Sequence, residues 1–132
     1  MEEDKLEVLK KSPLVWAYIG DAVYELAIRK RIVSKTNTKA HNLHIKIIKL
    51  VNAKKQADVL NKLQEKEFLS EEELDVARRA RNTKNYHIPK NTSPIQYAMS
   101  TALEAVIGYN YLLGKHERNN EIFEEVYNIL GI

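Results

Sequence analysis

Apolar residues recur along this chain at helical spacing, interrupted by short polar stretches that carry helix-start and helix-stop residues. Ser12-Pro13 reads as a start: a capping hydroxyl, then proline at the first helical position, where its missing N–H costs nothing. From Leu14 to Val33 only Gly20 breaks the helical composition. Val15, Ile19, Ala22, Val23, Leu26 and Ala27 form a broad apolar face, so a long, deeply buried helix is expected, with Asp21 inside it. After a polar connection from Ser34 to Thr38, a second helix is predicted from Lys39 to Val51. Its apolar residues Leu43, Ile47, Ile48 and Leu50 alternate with His41, His44, Lys46 and Lys49. A third runs from Ala53 to Gln64, capped by Asn52, with Ala57, Val59, Leu60 and Leu63 inward. Ser70 to Glu73 is a capping box that opens a helix to Asn82. Asn82 to Ser93 is a polar, positive loop. Ser93-Pro94 repeats the earlier start and launches a helix to Leu113, ended by Gly114. A last helix runs from Glu117 to Leu130, with Ile122, Phe123, Val126, Tyr127 and Leu130 inward. No segment reads as a strand, and the expected fold class is an all-α helical bundle.

Composition supports this. The 132 residues suit one domain, and four glycines and three prolines leave little punctuation for hairpins. The absence of cysteine excludes disulfides, a thiol nucleophile and thiolate-held zinc. No apolar run reaches the ~20 residues of a membrane span. Met1 to Lys5 is acidic and unlike a signal peptide, so a soluble cytoplasmic protein is expected.

The net charge is only +3, but its distribution is uneven. Residues 29–62 hold ten basic side chains and one acid, Asp58. Between Asp75 and Glu104 there is no acid, while Arg78, Arg79, Arg81, Lys84 and Lys90 occur. Such segregation points to a polyanion-binding surface, or to solvated helix faces whose charges balance in three dimensions.

Two carboxylates stand in strongly apolar helical sequence, Asp21 and Glu104. A charge there must be compensated. A buried ion pair or hydrogen bond would do so, and so would a hard cation such as Mg²⁺ shared between two packed helices. His41 and His44 have three-residue spacing but no third nearby ligand; with His87 and His116 they read as polar-face or nucleic-acid-facing residues rather than a zinc site. Tyr18, Tyr97, Tyr109 and Tyr111 are expected in the core. Tyr86 lies in the basic loop, where contact with RNA and plain surface exposure are both open.

Ile19-Gly20-Asp21-Ala22-Val23 and Glu104-Ala105-Val106-Ile107-Gly108 together resemble the catalytic domain of the ribonuclease III family. The segments Ala17–Glu25, Val51–Ala57, Arg79–Lys84, Pro89–Thr92 and Ser100–Ala105, in that order, are similar to its Mini-ribonuclease III branch, which has the catalytic domain alone. The resemblance spans about residues 13–130. It implies a single ribonuclease III-type endonuclease domain over residues 1–132, with no double-stranded-RNA-binding domain, acting as a two-fold homodimer with one site for each strand. It further implies a magnesium-dependent endoribonuclease, with Mn²⁺ able to substitute, that cuts double-stranded RNA to 5′-phosphate and 3′-hydroxyl ends. The implied substrate is the double-stranded stem of precursor 23S ribosomal RNA.

Asp21 and Glu104 carry over as catalytic metal ligands. A glutamate usual one turn before the aspartate is here Ala17, and an aspartate usual three residues before the second glutamate is here Thr101. Thr101 can orient a water but supplies no charge. Glu25, one turn after Asp21, is an outer acid or a surface salt-bridge partner. Lys54, Lys55, Arg79, Arg81, Lys84 and Lys90 are the expected RNA-binding residues. The missing carboxylates keep a second reading open, a non-catalytic RNA-binding module on the same fold. A helical DNA-binding protein ranks below both, since no helix-turn-helix recognition helix is evident.

Overall fold

The computed structural model describes residues 2–85 and 87–132, with side chains from Lys5 onward; Tyr86 lies outside the described residues. Seven helices are present among the described residues: α1 (Glu2–Lys10), α2 (Pro13–Lys35), α3 (Ala40–Val51), α4 (Ala53–Glu65), α5 (Glu71–Asn82), α6 (Pro94–Leu112) and α7 (His116–Leu130). None is long and apolar enough to cross a membrane. The expected all-α architecture is observed.

The starts form as the sequence dictates. Ser12 Oγ accepts from the Leu14 N–H at 3.2 Å and Ser93 Oγ from that of Gln96 at 3.4 Å, each with proline next in line. Asn52 Oδ1 accepts from the Lys55 N–H at 2.9 Å. Ser70 and Glu73 exchange both bonds of the capping box. Gly114, just past α6, has φ 75°, a left-handed turn that a side chain would strain.

α6 is the central helix. From Ser100 to Asn110 every residue except Glu104 is buried, packed on α2, α4, α5 and α7. α1 was not expected from sequence. It is pinned to the start of α2 by Trp16 Nε1–H donating to the Val8 carbonyl at 2.8 Å, and Val8 is buried with it.

The buried face of α2 differs from the expected one. Trp16, Gly20, Tyr24, Ile28 and Ile32, each four residues apart, face inward together with Ala17. Val15, Ala22 and Leu26 are exposed instead, and Asp21 is exposed rather than buried. Tyr18 and Tyr111, expected in the core, are 79% and 45% exposed, while Tyr97 is half-buried and only Tyr109 is fully inside. From Leu14 to Ile28 only Asp21 and Glu25 are charged, so apolar residues fall on more than one side of α2 and periodicity alone cannot choose its inner face.

Glycine chooses it. A Cβ on Gly20 would lie 1.6 Å from the Glu104 carbonyl oxygen, and one on Gly108 would lie 1.8 Å from that of Trp16. The two backbones meet at this pair, which only glycine permits. The ridge through Gly20 must therefore be the one that docks.

Candidate metal centre and nucleic-acid interface

The Gly20–Gly108 crossing sets the site. Asp21 follows Gly20 and emerges at the surface edge of the crossing, while Glu104, whose own carbonyl touches Gly20, is half-buried on α6. Their carboxyls come within hydrogen-bonding reach of each other. Burial and then the Asp21 carboxyl push Glu104 up to about 9. Gln56 works the other way: its Nε2–H donates toward Glu104 Oε2 at 3.5 Å. Glu25 adds a further repulsion on Glu104, but it is ion-paired with Arg29 at 2.8 Å. The Tyr24 hydroxyl, one turn after Gly20, is buried without a partner.

Among the described residues neither Asp21 nor Glu104 has an ion-pair partner. Two carboxyl groups face each other with no cationic side chain between them. Hard oxygen donors with a charge deficit of this kind fit a divalent cation such as Mg²⁺, which needs few protein ligands and retains waters. No group of three or more His, Asp or Glu side chains converges among the described residues, so the donor set is this pair.

Thr101 is buried one turn before Glu104, with its Oγ1–H taken by the Tyr97 carbonyl at 3.0 Å. Only its lone pairs remain to meet a water. Lys54 and Lys55 are exposed in the first turn of α4, the turn that brings Gln56 to Glu104. Arg81, near the end of α5, is exposed, as are Lys84 and Lys90 in the loop that follows. Arg79 is different: it is half-buried, its guanidinium carbon 5.1 Å from the centre of the Trp16 ring. Within the basic 29–62 segment, Arg31 is also occupied, donating to the Ile132 carbonyl at 3.0 and 3.2 Å. His41, His44, His87 and His116 are all exposed.

Gln56 was not singled out from sequence, though a signal existed. It lies four residues before Leu60 and seven before Leu63, a polar side chain on the inward stripe of α4.

A family profile described as the ribonuclease III domain matches residues 14–115. Mini-ribonuclease 3 of Clostridium tetani is 45% identical over 129 residues, covering 97% of this chain and 84% of that protein. The Staphylococcus aureus Mini-ribonuclease 3 is 40% identical over 120 residues, covering 91% and 90%. An X-ray crystal structure of a Fusobacterium nucleatum protein superposes with a TM-score of 0.78 and 34% identity, covering 92% of this chain and 93% of that one. The crossing that sets Asp21 beside Glu104 lies within the matched domain, and the chain belongs to the ribonuclease III family, in its Mini-ribonuclease 3 branch.

Proposed function

We propose that this chain is a divalent-metal-dependent endoribonuclease that cuts double-stranded RNA, with Asp21 and Glu104 as the metal ligands and Mg²⁺ or Mn²⁺ as the ion. The observation that carries the reading is the carboxyl pair without a counter-charge at the Gly20–Gly108 crossing. When bound, the cation supplies water activation and stabilisation of charge at the scissile phosphate. The chain's own residues do the rest. Asp21 and Glu104 fix the place of the charge on two rigid helices. Lys54, Lys55, Arg81, Lys84 and Lys90 hold phosphates of the strand by charge. Duplex RNA offers mainly backbone and 2′-hydroxyls to such a surface. Water attacks phosphorus and the P–O3′ bond breaks, leaving 5′-phosphate and 3′-hydroxyl ends. Maturation of precursor 23S ribosomal RNA in the cytoplasm is part of the same reading. Arg79 contributes through Trp16 rather than as a free phosphate ligand.

A homodimer belongs to the proposal. Val15, Tyr18 and Leu26 on α2 are 42%, 79% and 59% exposed, an apolar surface that a second copy would cover and that would bring two sites to two strands. Light scattering should give about twice 15.3 kDa, and Leu26→Glu should halve it. A mass of one chain for the unaltered protein would remove the dimer from the reading.

The function is tested by incubating a duplex RNA with the protein and Mg²⁺, beside Asp21→Asn and Glu104→Gln. Cleavage that stops in EDTA and in both variants is expected. Binding without cleavage in Mg²⁺ would favour the non-catalytic RNA-binding module instead, which the donor set of only two carboxylates keeps in view.

A further inference from the structure

We infer that Gln56 is a positioning residue for the metal centre: its side-chain amide holds Glu104 Oε2 and leaves the other oxygen turned toward Asp21 and the cation. The inference rests on the reading of Glu104 as a metal ligand and deepens it.

Gln56 is 4% exposed, on the inward stripe of α4 with Leu60 and Leu63. A leucine would fit that stripe without the cost of burying an amide. What the amide adds is a donor 3.5 Å from Glu104 Oε2, across the packing of α4 on α6. The contact is long for an N–H···O bond, at the outer edge of hydrogen-bonding distance. A donor to an ionised carboxylate makes a shorter and stronger bond. The amide is therefore placed to stabilise the ionised form of Glu104 that a cation requires.

The chemistry of the side chain is selective. A lysine or arginine at this place would donate as well, but it would also cancel the carboxylate's charge and compete with the cation. A glutamine donates and stays neutral. It orients Glu104 without adding a positive charge, so the charge of the ionised pair is left for the ion. Partners of this kind that orient a ligand commonly change metal affinity by about 10–100-fold when removed.

The test uses Gln56→Met, which keeps length and volume but has no donor, with Gln56→Leu as the second variant. Mn²⁺ binding to the RNA-free protein is titrated by the electron paramagnetic resonance signal of free Mn²⁺, beside unaltered protein and Glu104→Gln. Thermal melts and duplex-RNA binding are measured in EDTA. The expected result is Mn²⁺ affinity weakened about tenfold in both Gln56 variants. Melts should be unchanged or higher, RNA affinity in EDTA unchanged, and Mn²⁺ binding lost in Glu104→Gln. Mn²⁺ affinity within twofold of the unaltered protein in both Gln56 variants, with Glu104→Gln still defective, would overturn the positioning role and leave Gln56 as packing. Full Mn²⁺ binding by Glu104→Gln would overturn the ligand reading itself, and this inference with it.

Discussion

Glu73 and Glu104 are both glutamates on helices packed against the same core, yet their surroundings treat them oppositely. Glu73 is the more buried, at 4% exposure, and burial alone would raise it. It is nevertheless held down to about 2. Arg118 donates to both of its oxygens at 2.8 and 3.0 Å, the Asn110 amide donates at 2.9 Å, and the Ser70 N–H donates at 2.9 Å. Glu104 goes up to about 9: burial raises it most, the Asp21 carboxyl adds to that, and one distant amide offsets only part of it. Burial does not separate the two carboxylates. The partners do: Glu73 has every lone pair answered and needs nothing further, whereas Glu104 has a deficit that a cation would fill.

The sharpest way to break this contrast is cleavage activity. Asp21→Asn and Glu104→Gln keep shape and remove charge, so each should lower duplex-RNA cleavage by about three orders of magnitude. That follows from the several kcal/mol a catalytic metal supplies, at 1.36 kcal/mol per tenfold. Glu73→Gln, assayed below its melting temperature, should cut at a rate near that of the unaltered protein. Equal losses in all three variants would mean that the distinction between the two glutamates has no catalytic meaning.

Stability should show the reverse order. Glu73→Gln leaves Arg118 without its anion and should cost about 3 kcal/mol, the low end for breaking a buried pair, since Arg118 keeps some water. Glu73 is depressed in the folded state, so its contribution is fully present above its ordinary value near 4.5. That contribution is lost as pH falls from there toward about 2. Melts of the two proteins from pH 7 to pH 3 should therefore converge. A constant gap across that range would point to packing rather than charge.

Glu104 carries the opposite sign. Its folded-state value is raised from 4.5 to about 9, so the folded, metal-free protein binds a proton more tightly than the unfolded chain. Stability should fall as pH climbs through that interval. Glu104→Gln removes the penalty and should melt a few degrees higher than the unaltered protein at pH 8–9 in EDTA. The order should reverse, or the gap close, when Mn²⁺ is added, because only the carboxylate gains from the ion. A variant that melts lower at every pH would show that the carboxyl is not held at a cost.

The parts of this site that sequence reveals are the local ones. The helix starts at Ser12, Asn52, Ser70 and Ser93 are short-range chemistry, and the segments around Asp21 and Glu104 are contiguous. What sequence hides is set between distant elements. The inner face of α2 is decided by Gly20 meeting α6, 84 to 88 positions further on, and α1 is held to α2 through the Trp16 side chain rather than by any pattern of its own. Glu73 reads correctly as a capping-box acid, but its partner Arg118 is 45 residues away. Gln56 faces Glu104 across 48 positions: its place on the inward stripe of α4 shows that it is buried, but not against what.

The same contrast between answered and unanswered charge divides Arg79 from Arg81, two residues apart on α5. Arg79 lies over the Trp16 ring at 5.1 Å and is half-buried, while Arg81 is exposed, as is Lys84 beyond it. Among the described residues neither is ion-paired with the acids at the start of α5; Glu72 pairs with Lys5 and Lys115 and Glu73 with Arg118. Arg79→Ala should therefore lower stability by about 1 kcal/mol through the lost cation–π contact. Replacing Arg81 and Lys84 together with alanine should leave the melt within about 0.5 kcal/mol of the unaltered protein. The double variant should instead bind duplex RNA several-fold more weakly and flatten the dependence of log K on log salt by about 1–2, the release expected for two phosphate contacts. Binding measured in EDTA over a salt series, beside melts of both variants, decides the matter. An unchanged slope in the double variant would take this end of α5 off the RNA surface and leave the first turn of α4, with Lys54 and Lys55, as the phosphate-binding element.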